Sequence, residues 1–322
     1  MAKQRAQKNK NGKKNTRRVR SRPVPRGVGR SLTPAESKYM ELLRNPCTGP
    51  LVRAPGSSEG GSIIRFETDF ITGNGATSTA GFLNWAPGAY NNFTPNAYGP
   101  GGVVASAVND TTAVSVANLV PAEMPGYTFL QNNASSYRCI AACMQIYWPG
   151  SELNRSGIVS AAQGTYGLLS IGTNVATQQV RSLSPHVERM PTDMIEAIWA
   201  PSYSDGLFRA NNPVTTTGTI PEDGHSSLLC SWAGIPVSTG VRIRLVGVFE
   251  WRPKILGLVL SSNTADSGGG SVQFVRTVLD HIDPNWWYHA RQAAARFVAN
   301  GFVQYASTRG RGMPRAMIRN EL

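Results

Sequence analysis

The first 30 residues carry twelve basic side chains and no acidic one, and such a segment cannot build a core. Lys3, Arg5, Lys8, Lys10, Lys13, Lys14, Arg17, Arg18, Arg20, Arg22, Arg26 and Arg30 face no carboxylate before Glu36. A block of like charge with few apolar residues repels itself and stays disordered until a polyanion neutralises it. The other 292 residues hold 20 basic and 19 acidic groups, so the formal net charge of +13 belongs almost wholly to this arm. The twelve cations are therefore read as a nucleic-acid-binding arm, and the body is left with a different task. A nuclear address and attachment to an anionic membrane surface are the other readings of such a tail. A mitochondrial presequence is disfavoured, because Lys8–Thr16 offers no apolar face.

The body is long enough to bury a substantial core without metal or cross-links. The whole chain's 33 glycines, 21 prolines and charged fraction of 16%, most of the first two falling in the body, suit many short strands joined by turns. Cys47, Cys139, Cys143 and Cys230 form no CxxC pair and have no histidine at ligand spacing. They are expected to be buried free thiols, in a chain made in a reducing compartment because no secretory apolar region opens it. The longest apolar stretch, Ile255–Leu260, is far short of the roughly 20 residues that span a bilayer.

Periodicity divides the chain. Residues 1–30 are the arm and 31–59 a short helix and linker. Thr33-Pro34-Ala35-Glu36 supplies an N-cap, a proline at the first helical position and a reciprocal glutamate, predicting a helix to about Arg44. Residues 60–255 then alternate with a period of two. Ile64, Phe66 and Phe70 share one face of a strand, with Arg65, Glu67 and Asp69 on the other. In Tyr137–Trp148, alternation places Ile140, Ala142, Met144, Ile146 and Trp148 on one face and Cys139, Cys143 and Tyr147 on the other. Val241, Ile243, Leu245, Phe249 and Trp251 alternate with Arg242, Arg244, Glu250 and Arg252. Further strands are expected at 81–85 and near 103–108, 156–170, 195–200 and 226–232, with a short helix from Pro191 as the alternative for the fourth of these. Residues 256–322 read as a loop, an amphipathic helix over 284–306 and a basic tail. The fold class is all-β: an eight-stranded antiparallel jelly-roll sandwich with a disordered basic N-terminal arm and short flanking helices.

Several segments resemble the coat proteins of small icosahedral positive-strand RNA viruses of the nodavirus and tombusvirus group. They are Leu32-Thr-Pro…Tyr39-Met…Leu43 with Asn45-Pro46…Gly49-Pro50-Leu51; Tyr137-Arg-Cys-Ile-Ala-Ala running into Tyr147-Trp-Pro-Gly-Ser-Glu-Leu-Asn-Arg-Ser-Gly157; and Val246-Gly-Val-Phe-Glu-Trp-Arg-Pro-Lys254. Their order and spacing behind an arginine-rich arm carry the resemblance. It implies a structural coat protein that self-assembles from many copies into an icosahedral shell, T = 3, around single-stranded genomic RNA. Its place would be the virion, after synthesis in the host cytoplasm. Nothing after Lys254 is long enough for a protruding β-domain, which departs from part of the group. Nodavirus-like maturation cleavage would fall at Asn300-Gly301, which is also an ordinary helix end. Relatives clamped by calcium point to Asp280 and Asp283 as ligands of an intersubunit Ca²⁺, with Asp69 and Asp110 as further carboxylates; two acids at a helix start are the plainer reading. No other cofactor is expected.

Enzyme signatures are absent: there is no GxxxxGK[ST], HExxH or GxSxG, and His186, His225, His281 and His289 are scattered. The chain is read as a non-enzyme. A cellular single-stranded nucleic-acid-binding protein with a basic tail is the alternative. In the stripe of Trp287, Ala290, Ala294, Phe297, Val298 and Phe302, either packing beneath the shell or transient membrane contact through 284–306 fits the pattern.

Overall fold

A computed structural model describes residues 32–55, 61–72, 77–90, 100–115, 120–121, 125–165, 174–191, 193–201, 205–210, 226–254, 275–276, 278–280 and 287–290. The chain divides into two units, Met1–Arg30 and Ser31–Leu322. The twelve arm cations, Asp283, Asn300-Gly301 and everything after Ala290 lie outside the described residues.

The helix α1, Pro34–Arg44, starts as its sequence dictates. The Thr33 hydroxyl accepts from the Glu36 backbone N–H at 3.3 Å, and the Glu36 carboxylate accepts from the Thr33 N–H at 2.9 Å. Two donors that the first turn would otherwise leave unpaired are satisfied reciprocally. Tyr39, Met40, Leu42 and Leu43 are buried.

Fourteen strands follow among the described residues: β1 Ser62–Ile71, β2 Ala80–Tyr90, β3 Pro100–Ala107, β4 Ala113–Val114, β5 Val120–Pro121, β6 Ala134–Tyr147, β7 Ile158–Thr165, β8 Val175–Ala176, β9 His186–Arg189, β10 Met194–Trp199, β11 Arg209–Ala210, β12 Ser226–Ala233, β13 Arg242–Pro253 and β14 Tyr288–Ala290. Two short helices interrupt them, α2 Tyr127–Asn133 and α3 Thr177–Ser182. The first sheet runs β1-β13-β6-β10-β14, with β11 on β6; the second runs β5-β3-β2-β12-β7-β9; β4 and β8 form a small ribbon. Among the principal strands, first pairs with last in one sheet and second with next-to-last in the other, all antiparallel. That is the double Greek key of a jelly roll, and the expected fold class is borne out.

The core between the sheets holds Leu83, Trp85, Met144, Ile146, Trp199, Leu228, Trp232, Leu245 and Phe249. Ile64, Phe66 and Phe70 pack on it, as alternation predicts. The helix α2 closes one side, and its N-cap Gly126 has φ 71° with a Cβ position only 2.0 Å from the Phe66 ring. Any side chain there would clash as well as strain the backbone.

Two expectations fail, each for a physical reason. Strict alternation along Tyr137–Trp148 breaks at a bulge: Val248 pairs with Ala141 but Phe249 pairs with Cys139, leaving Ile140 as the extra residue. The inner face is therefore Tyr137, Cys139, Ala142, Met144 and Ile146, and Arg138 and Cys143 point outward. An inserted residue reverses every side chain beyond it. The expected helix over 284–306 is corrected at its start: Tyr288–Ala290 is a strand that pairs with β10 along Ile195–Ala197, and 291–306 lie outside the described residues. The open edge of β10 offers backbone donors and acceptors that only a strand can satisfy, and the Ile198 N–H bonds the Trp287 carbonyl at 2.6 Å. The segment from Pro191 is likewise strand β10, not helix.

Candidate functional site: the outer face of the first sheet

The outer face of the first sheet changes character along β13. At one end Arg242 and Arg244 meet the β1 acids diagonally across the strand pair. Arg242 Nε donates to both Asp69 carboxylate oxygens at 3.0 and 3.1 Å, and Arg244 is paired with Glu67. Hydrogen bonding from Arg242 holds the Asp69 carboxyl below its usual range. Arg244 also donates to Gln145 Oε1 at 3.0 Å, Tyr147 donates to the same oxygen at 2.8 Å, and Gln145 Nε2 reaches Glu196 at 2.6 Å.

The middle of the face is covered by α1 and the turn after it. Tyr39 donates to the Ile140 carbonyl at 2.9 Å, the backbone group that the bulge makes available. The chain then turns tightly: the Thr48 and Gly49 N–H groups both bond the Asn45 carbonyl, and a Cβ at Gly49 would sit 2.6 Å from that oxygen. Arg65 donates to the Gly49 carbonyl. This turn delivers Cys47 to Cys143, and the two are disulfide-bonded against Val246. The expectation of four free thiols is corrected here. Cys139 and Cys230 remain free in the core, and burial pushes the Cys230 thiol up to about 12 and Cys139 well above its usual value.

At the far end a buried ion network replaces the exposed one. Arg138 donates from Nε to Glu250 Oε2 at 2.9 Å and from Nη1 to the Gly206 carbonyl at 2.7 Å. Its side chain is 9% exposed and that of Glu250 is 0%. Arg53 approaches the other Glu250 oxygen at 4.0 Å. The Phe208 ring lies 4.5 Å from the Arg138 guanidinium and 4.0 Å from that of Arg252. Burial raises the Glu250 carboxyl above its ordinary range against the opposing pull of Arg138.

This face therefore holds Arg138, Arg242 and Arg244 in internal ion pairs, Arg65 on the Gly49 carbonyl and Arg252 against the Phe208 ring. The aromatics Phe66, Phe129, Phe249 and Trp251 pack on one another at centroid separations of 5.1 to 6.2 Å. A single-strand platform needs unpaired cations beside presented rings; among the described residues these four aromatics pack on the inter-sheet core, and the Phe208 ring is taken up by Arg138 and Arg252. Of the carboxylates considered for calcium, Asp69 is bound by Arg242 and Asp110 by Arg181, while Asp283 of the pair Asp280 and Asp283 lies outside the described residues. No cluster of three metal-ligating side chains occurs among the described residues.

A second surface lies where the connections after β1, β3, β6 and β12 meet. Thr79 bonds Val108 at 2.7 Å, Ile235 bonds Thr79 at 3.1 Å, and Ser156 bonds Gly234 at 3.1 Å. Ile71, Val108, Leu153 and Val237 are exposed there, Leu153 by 97%. Sequence reading missed this patch because scattered aliphatics in loops carry no periodic signal.

No family model matches this chain, and no curated protein matches it by sequence. Solved structures do share its fold. A chain from the T13 particle of infectious bursal disease virus superposes with a TM-score of 0.55 at 10% identity, over 85% of this chain and 97% of that one. The Gx strain of that virus gives 0.52 at 10% identity, over 83% and 99%. T=1 particles of a mutant VP2 give 0.51 at 11% identity, over 86% and 98%. At such identity the likeness is one of fold: this jelly roll is the kind found in proteins of icosahedral viral particles.

Proposed function

We propose that this chain is the coat protein of a small positive-strand RNA virus, of the nodavirus and tombusvirus-like kind. Many copies of its jelly-roll body close an icosahedral shell with T = 3 geometry. The arm of Lys3 to Arg30 neutralises single-stranded genomic RNA inside the virion. One juxtaposition carries the reading: a particle-type jelly roll of near-neutral charge, whose sheet arginines Arg138, Arg242 and Arg244 are held in ion pairs, follows an arm of twelve cations with no acidic residue among them. Near-neutral bodies can pack side by side without like-charge repulsion, while the arm supplies the polyanion affinity.

The surface that carries the exposed aliphatics Ile71, Val108, Leu153 and Val237 is assigned to contact between copies, because burying such side chains against a neighbour removes them from water. Residues 284–306 are assigned a place against the shell, with membrane contact as their secondary role; the short strand β14 favours the first.

Electron microscopy of the expressed full-length protein tests the reading: uniform spheres are expected. The variant Leu153→Asp should fold with an unchanged melting temperature and fail to close shells. Monodisperse monomers of wild type across salt and pH would refute the coat-protein reading and return the chain to a single-strand-binding role.

A further inference from the structure

The cross-link found on the outer face joins two parts of the molecule that are held very differently. Cys143 sits mid-strand in β6, which is hydrogen-bonded to β13 on one side and to β10 on the other. Cys47 sits in the turn after α1, and that turn reaches the sheet through the Arg65–Gly49 bond, with Tyr39 anchoring the helix ahead of it. Lifting α1 and this turn requires no strand to part. The two remaining thiols, Cys139 and Cys230, are sealed between the sheets with their thiolates disfavoured, so they are poor partners for exchange.

We propose that Cys47–Cys143 is a reversible redox latch on residues 34–55, the segment through which the basic arm joins the body. A small-molecule disulfide such as oxidised glutathione closes it. The Cys47 thiolate attacks one sulfur and releases one thiol; the Cys143 thiolate then displaces the second. Two electrons and two protons pass from the protein to the small disulfide, which leaves as two thiols. Excess thiol reverses both steps. The bridge is buried, with Cys47 3% and Cys143 0% exposed, so a reductant reaches it only through local opening of the turn. Closed, the latch holds residues 34–55 on the first sheet. Open, it frees the segment while the sandwich stays folded. The inference concerns the fold alone and stands whether or not the protein forms shells.

Between Cys47 and the start of β1 lie about 15 residues, and closing a loop of that size is equivalent to about a hundredfold in an equilibrium constant, about 3 kcal/mol at 1.4 kcal/mol per decade. Amide hydrogen exchange followed by mass spectrometry on the full-length protein is the test, after equilibration with oxidised glutathione or with dithiothreitol. Reduction should speed exchange in residues 34–55 by about a hundredfold and leave β12 and β13 unchanged. Cys143→Ser should exchange like the reduced protein and ignore dithiothreitol, whereas Cys230→Ser should keep the full redox response. If Cys143→Ser does not fold, the comparison of oxidised with reduced wild type still decides. Equal exchange of residues 34–55 in the two states would overturn the proposal. So would loss of protection in β12 and β13 on reduction, or four alkylatable thiols after treatment with oxidised glutathione.

Discussion

The two sheets of the sandwich share an aliphatic and aromatic core but are covered on their outer faces by opposite chemistry. The second sheet is covered by α3 and the β4–β8 ribbon, which bury Phe82, Ala105, Ala107, Val114, Ala162, Val180 and Leu229 in an apolar layer. The first sheet is covered by the segment that follows the arm, held by a tyrosine–carbonyl bond, a disulfide and the approach of Arg53 to the buried Glu250. Apolar layers are insensitive to pH and redox state; ion pairs and disulfides are not. The lesson is that the cover on the first sheet carries the redox-sensitive cross-link, whereas the other is mainly apolar, with the Arg181–Asp110 ion pair on α3.

The largest effects should come from one residue on each cover. Glu250→Ala strands a buried guanidinium, which costs about 3–5 kcal/mol, and Phe82→Ala opens a cavity costing about 3–5 kcal/mol. Chemical denaturation measures both, and the comparison sharpens with pH. Because the folded state holds the Glu250 carboxyl above its ordinary value, it takes up a proton before the unfolded chain does. The stability linked to that uptake is present below about 4.3, the ordinary glutamate value, and is lost as pH rises through the raised value. Glu250→Gln should flatten the stability profile in that window, while Phe82→Ala should lower it evenly. A pH-dependent loss in Phe82→Ala would break the comparison.

Next in size, Met144→Ala and Ile146→Ala remove core side chains common to both halves and should each cost about 2–5 kcal/mol. Neutral behaviour would contradict the register of β6. Smaller still, Tyr39→Phe removes the bond to the Ile140 carbonyl and should cost about 0.5–1.5 kcal/mol, with the extra exchange confined to α1. The smallest effect belongs to the exposed pair. Asp69 titrates below its ordinary value, so its contribution is present above that value and is lost as pH falls through the depressed one. Asp69→Asn should lose that small contribution at neutral pH, be silent once pH has fallen through the depressed value, and so flatten the acid limb, read from melts at low and high salt.

Much of this molecule could be read from sequence, and the gaps have identifiable causes. Thr33-Pro34-Ala35-Glu36 specifies its helix start locally, and β1 and β13 announce themselves because one face is charged and the other apolar. The strand β6 hid its bulge because both faces are apolar: sliding the register by one residue at Ile140 changes no hydrophobic pattern. That concealed bulge in turn hid the site, since it turns Arg138 outward to Glu250 and sets Cys139 and Cys143 on opposite faces. Cys47 and Cys143 are 96 residues apart and meet only once α1 has docked, which no spacing rule encodes. The helices α2 and α3, at seven and six residues, are too short for a helical period to emerge. The strand β14 is dictated by the edge of β10 rather than by its own residues.

The central claim is a division of labour: the body builds the shell and the arm holds the RNA. Comparing particles of the full chain with particles of residues 31–322, by sedimentation and by nucleic-acid content from absorbance at 260 and 280 nm, tests it most directly. The account predicts that the full chain yields RNA-filled shells, that RNA binding by the arm weakens with salt at a slope near about −8, about −0.7 for each of the twelve cations, and that the truncated chain stays folded without RNA. Truncated particles that still package full-length RNA would contradict it.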